Sequence, residues 1–149
     1  MTTALRSANV AGARPAVYPD EAGKVLVSDG TYELTAALNI DEQTIALCIL
    51  PAGCIPLDFT VIVDDLEASG GTCVIDGGGI ASTEDSVDQV MISQSAVAQA
   101  GGVARATLFP MVAPVETETL FGVHITAIGT QQAGTLRAIL TYRAAEYGV

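Results

Sequence analysis

The residue best suited to acid–base chemistry is the single histidine, His124. It lies in the alternating run from Leu120 to Thr126, on the face opposite Phe121. A histidine that acts as a base needs a nucleophile or a carboxylate converging on it, and no nearby pattern supplies either. The sequence therefore predicts an exposed or interface histidine on a strand, and no catalytic residue.

A second set of candidates is acidic. Asp64, Asp65 and Glu67 form an acidic corner after one apolar run, and Asp76 ends the next. Clustered carboxylates can hold Ca²⁺, but the spacing of the helix-loop-helix calcium motif is absent. We interpret the corner as a solvated turn.

The glycine triplet Gly77–Gly79 follows a predicted strand, as phosphate-binding loops do. It lacks the patterns G-x-x-x-x-G-K-[ST] and G-x-G-x-x-G, and no β-α-β pattern surrounds it. The sequence therefore predicts neither a phosphate site nor a bound cofactor.

The three cysteines, Cys48, Cys54 and Cys73, form no C-x-x-C pair, and no histidine pair completes a zinc site. We expect each to be a small buried hydrophobic residue. The sequence does not decide whether a disulfide joins Cys48 to Cys54 across the Pro51–Gly53 turn, or whether one joins two copies of the chain.

Composition limits the function further. The chain has 149 residues, with 17 acidic and six basic residues, a formal charge of −11, and only 15% charged residues. The acidic balance argues against nucleic acid as a partner. No apolar run approaches the ~20 residues that cross a bilayer, so we expect no membrane partner. With one His and one Lys, we expect no enzyme.

The elements that carry these residues read as β-structure from Lys24 onward. The runs 44–50, 57–63, 103–109, 117–128 and 135–143 are apolar or alternate, and glycine and proline separate them. We expect about eight short strands in an all-β antiparallel sandwich or barrel, with a jelly-roll order as one arrangement. The alternation places Leu57, Phe59, Phe121 and Val123 in the core.

Three local features complete the expected fold. Ser28–Gly30 is typical of a turn, and the runs 117–128 and 135–143 are predicted to pair as a hairpin. Residues 82–99 carry the one candidate short helix, because a Ser–Thr–Glu–Asp start precedes apolar residues at helical spacing. The domain is predicted to cover residues 24–149.

Residues 1–23 carry no hydrophobic periodicity and are predicted to form an extended N-terminal arm. Residues 1–19 contain two arginines and no acid, whereas the rest of the chain is strongly acidic. Two interpretations are open: an ordinary loose terminus, or a tether that binds a partner through apolar anchors and arginine–carboxylate pairs. Its candidate contact residues are Leu5, Arg6, Val10, Arg14, Val17 and Tyr18.

One block is more distinctive than the rest. Ile49–Leu66 reads as a strand, a Leu-Pro-Ala-Gly turn, a long strand and an acidic corner, and Gly71–Gly77 follows as a short strand into glycine. The last strand, Gly134–Tyr142, follows a glycine and ends at a tyrosine. This arrangement resembles small virion proteins of tailed bacteriophages, in particular capsid decoration (cement) proteins and other head structural proteins.

That resemblance implies a structural protein that binds the outer surface of a shell of major capsid protein and associates with itself, often as a trimer. It carries over no catalytic residue. Two other interpretations remain: another virion component, such as a head fibre base or tail protein, and a ligand- or carbohydrate-binding β-sandwich. The absence of Trp weakens the carbohydrate-binding interpretation.

Overall fold

The computed structural model describes residues 4–7, 10–11, 24–35, 40–126 and 128–144. These ranges form eleven strands and one three-residue 3₁₀ turn, Val97–Gln99. The strands are β1 Leu5–Arg6, β2 Val25–Leu34, β3 Gln43–Leu50, β4 Cys54–Val63, β5 Glu67–Ser69, β6 Val74–Ile80, β7 Val87–Ser95, β8 Gly102–Arg105, β9 Thr119–Thr126, β10 Thr130–Gln131 and β11 Gly134–Ala144.

The strands form two main sheets. A five-stranded sheet has the order β1-β3-β9-β6-β7, a four-stranded sheet has the order β2-β11-β4-β8, and β10 pairs with β5. All pairs are antiparallel except β1 with β3. Phe59 of β4 and Phe121 of β9 meet edge to face, with ring centroids 5.6 Å apart, so the two sheets share one core. The prediction of an all-β sandwich is confirmed.

Alternation explains why the long strands form where they do. In β11, Leu136, Ala138, Leu140 and Tyr142 are buried, while the residues between them face outward. In β9, Phe121 and its alternating neighbours are likewise buried. Nearly every residue of β3 is buried, because chain covers both of its faces.

The expected helix in residues 82–99 is wrong for most of that range. Residues 87–95 form β7, which pairs with the glycine-rich β6, and only the 3₁₀ turn is helical. The helical spacing of Val87, Val90 and Met91 fits a strand as well, because a short apolar run is ambiguous between the two periods. Sheet pairing decided the outcome.

Ser28–Gly30, which was predicted as a turn, and Gly77–Gly79, which was expected to follow a strand, both lie inside strands. Gly30 continues β2, and a Cβ there would lie 1.8 Å from the backbone oxygen of Leu47. Gly77 lies within β6, and a Cβ there would lie 3.2 Å from the Phe59 ring. Both glycines therefore permit close packing between the sheets rather than a reversal of the chain.

The predicted hairpin of the last two runs is also wrong. β9 belongs to the five-stranded sheet and β11 to the four-stranded sheet, so the chain crosses the sandwich between them. β10 lies in this crossing and pairs with β5.

Two boundaries also differ from the prediction. Leu57 was expected in the core but is 37% exposed, because the β4–β11 register skips it between Pro56 and Asp58. The predicted strand 103–109 ends at Arg105. Beyond it, the N–H of Ala106 still donates to the carbonyl of Phe59 in β4 at 2.8 Å, and the N–H of Thr107 then donates to the carbonyl of Met91 in β7 at 2.9 Å.

Candidate assembly surfaces

His124 is held in a structural network. Its Nδ1 lies 2.9 Å from the Thr44 hydroxyl, and its Nε2 lies 3.4 Å from a carboxylate oxygen of Glu42. The side chain is only 15% exposed. The histidine thus joins β3 to β9 and is less exposed than a surface histidine. No group of three or more metal-ligating side chains occurs among the described residues, and no helix among them could span a bilayer.

Glu67 corrects the interpretation of the acidic corner as wholly solvated. Its side chain is 4% exposed and accepts backbone N–H bonds from Gly129 at 2.5 Å, Thr72 at 2.9 Å and Cys73 at 3.2 Å. Burial opposes ionisation, but these bonds outweigh it and lower the pKa of the carboxyl group below its ordinary value. Glu67 is therefore a buried clamp between two loops, whereas Asp64 and Asp65 are exposed.

The cysteines are buried free thiols, as predicted. Burial, followed by the charge of Asp29, raises the pKa of Cys48 to about 12. Burial and the charges of Glu67 and Asp41 raise the pKa of Cys73 to about 11. Thiols with such pKa values are protonated at neutral pH and unreactive as nucleophiles.

The described part of the N-terminal arm packs on its own domain. β1 pairs in parallel with β3, with Leu5 opposite Ile45. Ala4 and Val10 are buried in a small cluster with Ala46, Ile49 and Ile80 on the outer side of the five-stranded sheet. Arg6 forms an ion pair with Glu84.

The expectation of an unpacked arm is therefore wrong for residues 4–7 and 10. Leu5 and Val10 contact this chain's own core, and the sequence could not show this because an isolated two-residue strand leaves no periodicity. Arg14, Val17 and Tyr18 lie outside the described residues, so a partner-binding role for them stays a prediction.

The outer face of the four-stranded sheet has no such cover among the described residues. Val25, Val27 and Val103 are each more than half exposed there. The pairing register places Ile62 beside Val103 and Arg137, and Ile139 beside Asp29. We call this outer face of β2, β11, β4 and β8, together with the preceding Lys24, the sheet face.

The sheet face differs in charge from the rest of the molecule. Its four strands and the preceding Lys24 hold four of the six basic residues but only three of the 17 acidic ones. Arg105 lies 4.0 Å from Asp58, and Arg137 lies 3.5 Å from Asp29. These exposed pairs contribute little to stability, so the arginines remain available to other partners.

A second apolar surface lies on the segment 106–118, which we call the edge loop. Val112 is 85% exposed, and Leu108 and Phe109 are about half exposed. Hydrogen bonds fasten the loop at both ends, from Leu108 to Met91 and between Val115 and Cys54. The loop thus presents large apolar side chains from an anchored position.

Acidic residues border the edge loop. Glu116 and Glu118 are exposed, and both line a groove of about 600 Å³. Glu84, Asp88 and Arg6 also line this groove. The edge loop and its groove thus form an apolar surface with an acidic border.

Sequence reasoning missed both surfaces, although signals were present. In Val25-Leu26-Val27 the apolar residues occupy both faces of one strand, so one apolar face is exposed wherever no other part of the chain covers it. Phe109 is followed by a proline, which is incompatible with a central strand. Exposed apolar patches of this kind usually mark interaction sites.

No protein-family model matches the chain, and no curated protein matches it. Several chains of solved structures do match it, and two of them are phage capsid chains with 29% sequence identity. A chain in the capsid of Ralstonia phage GP4 has 29% sequence identity and a TM-score of 0.80, and the match covers 95% of this chain and 97% of that one. A chain in the capsid asymmetric unit of cyanophage Pam1 has 29% identity and a TM-score of 0.65, over 91% and 96% of the two chains. These similarities support a phage virion structural protein.

Proposed function

We propose that this protein is a capsid decoration, or cement, protein that binds the outer surface of a phage shell and stabilises it. The observation that carries the proposal is the near-complete, mutual coverage by a chain of the Ralstonia phage GP4 capsid. Two chains of nearly equal length and the same fold, at 29% identity, are expected to share a structural role.

The described surfaces agree with a binding role rather than a catalytic one. Buried side-chain polar atoms among the described residues all have hydrogen-bond partners, so none is aimed into an empty site. Apolar side chains are instead exposed on the sheet face and the edge loop. Such surfaces gain free energy when a partner removes them from water. The partners proposed are major capsid protein and further copies of this chain.

The arm supplies a second proposed contact. Residues 4–7 and Val10 pack on the domain, and the segment that follows in the sequence carries Arg14, Val17 and Tyr18, which we propose bind the shell or a neighbouring copy. Replacing residues 12–18 with a Gly–Ser linker of equal length should weaken shell binding about tenfold or more and leave the melting temperature unchanged. A linker that binds as tightly as the parent would remove the arm from the interface.

The function is tested by co-sedimentation with undecorated, expanded capsids of the phage that encodes the chain. The expected result is saturable binding with a fixed number of copies per shell, and shells that withstand higher temperature before they open. Bovine serum albumin at equal concentration is the control for trapping. A protein that stays in the supernatant would contradict the decoration role.

A further inference from the structure

We propose that copies of this chain associate head to tail, with the sheet face of one copy against the edge loop of the next. This inference rests on the proposed function for its setting, but it concerns the contact between copies rather than the contact with the shell. The occupant of the sheet face is therefore a second copy of this chain.

Complementary chemistry supports this pairing. The sheet face combines exposed valines with Arg105 and Arg137, and although an aspartate lies beside each arginine, the basic residues outnumber the acidic ones there by four to three on a molecule of charge −11. The edge loop combines Phe109 and Val112 with the exposed carboxylates of Glu116 and Glu118. Within residues 106–118 there is no basic residue. Apolar patches thus meet apolar patches, and the arginines of the sheet face meet the acidic border of the edge loop.

The same comparison disfavours a two-fold contact between edge loops. Two edge loops placed together would bring four glutamates and no basic residue into one interface, whereas Arg105 and Arg137 of the sheet face each lie beside an aspartate. Like charges at an interface are repulsive, so the edge loop is better suited to a surface that carries arginines.

Charge reversal tests the pairing. The two variants are R105E/R137E on the sheet face and E116K/E118K on the edge loop, with A68K, at an exposed position on β5, as the control. Sedimentation velocity over a concentration series should show self-association of the parent and of A68K. Each reversal should weaken association about tenfold or more. The variant with all four changes should regain most of it, because its charges are complementary again.

Cross-linking tests the head-to-tail geometry. V27C and V112C place single accessible thiols on the two surfaces, while the three native cysteines are buried. A short bis-maleimide should link an equimolar mixture of the two variants and link neither variant alone. Links within either variant alone would indicate a two-fold contact and overturn the proposal.

The remaining outcomes are also decisive. The inference is overturned if the parent chain stays monomeric at every concentration. It is also overturned if the two charge-reversal variants self-associate as strongly as A68K, or if the variant with all four changes self-associates no more strongly than the double variants. Failure of the parent to bind shells would instead overturn the decoration role. A parent chain that binds shells but never self-associates would contradict the head-to-tail inference and leave the decoration role standing.

Discussion

The hydroxyl of Ser7 donates a hydrogen bond of 2.6 Å to the backbone carbonyl of Leu47. This bond fastens the N-terminal segment to β3 at a point that β2 also approaches, because Gly30 lies against the same carbonyl. Both residues are buried, so no water replaces the bond when it is lost.

Ser7→Ala should therefore lower the free energy of unfolding by about 1–3 kcal/mol, since it leaves a buried carbonyl unsatisfied. Urea denaturation measures the change. Ser93→Ala, at an exposed position on β7, is the matched control and should stay within about 0.5 kcal/mol of the parent. Equal stability of the two variants would show that the N-terminal segment does not dock in solution.

Phe121→Ala tests the shared core. Phe121 is fully buried against Phe59, so truncation should cost about 3–5 kcal/mol. The matched control is Phe109→Ala, because Phe109 is 53% exposed. Both are measured by urea denaturation at a protein concentration low enough to keep the chain monomeric. A cost below about 1 kcal/mol for Phe121→Ala would contradict the assignment of β9's inner face.

The free energy of unfolding should depend on pH through Glu67, and the direction of the change follows from the pKa of its carboxyl group. Its pKa is lower in the folded state than in the unfolded chain, so the carboxylate stabilises the fold above the unfolded pKa. That contribution disappears as the pH falls through the folded pKa. Glu67→Gln should therefore destabilise the protein at pH 7 by about 1–3 kcal/mol.

The gap between parent and Glu67→Gln should close as the pH falls below the usual glutamate range, about 4.3. Glu118→Gln, on the exposed border of the edge loop, is the control and should follow the parent. Unfolding curves at a series of pH values measure the effect. A gap that stays constant down to the lowest pH would show that Glu67 is not ionised in the folded protein.

Strand alternation allowed much of the core to be predicted. Phe59, Phe121 and Leu136 lie where period-two patterns place them, because each strand buries one face. Pairing was less predictable. The sequence around Gly30 and Gly77 is compatible with a turn or with close packing, and only the neighbouring strands, through the Leu47 carbonyl and the Phe59 ring, decide between them.

The candidate surfaces depend on which sheet face the chain covers. The N-terminal segment covers the five-stranded sheet through the buried Ala4 and Val10. These two residues belong to no hydrophobic periodicity, so the sequence did not predict which sheet the segment covers. Once the segment covers the five-stranded sheet, Val25 and Val103 on the other sheet remain exposed. The burial of Glu67 was not predicted either, because its hydrogen-bond partner Gly129 is 62 residues away in the sequence and no local pattern links the two.

The measurement that tests the central claim most directly is cryo-electron microscopy of undecorated expanded capsids mixed with the purified protein. The account predicts ordered extra density on the outer surface of the shell, into which the β-sandwich fits, at repeated positions of the capsid lattice. Shells without added density, or density confined to the interior, the portal or the tail, would contradict it.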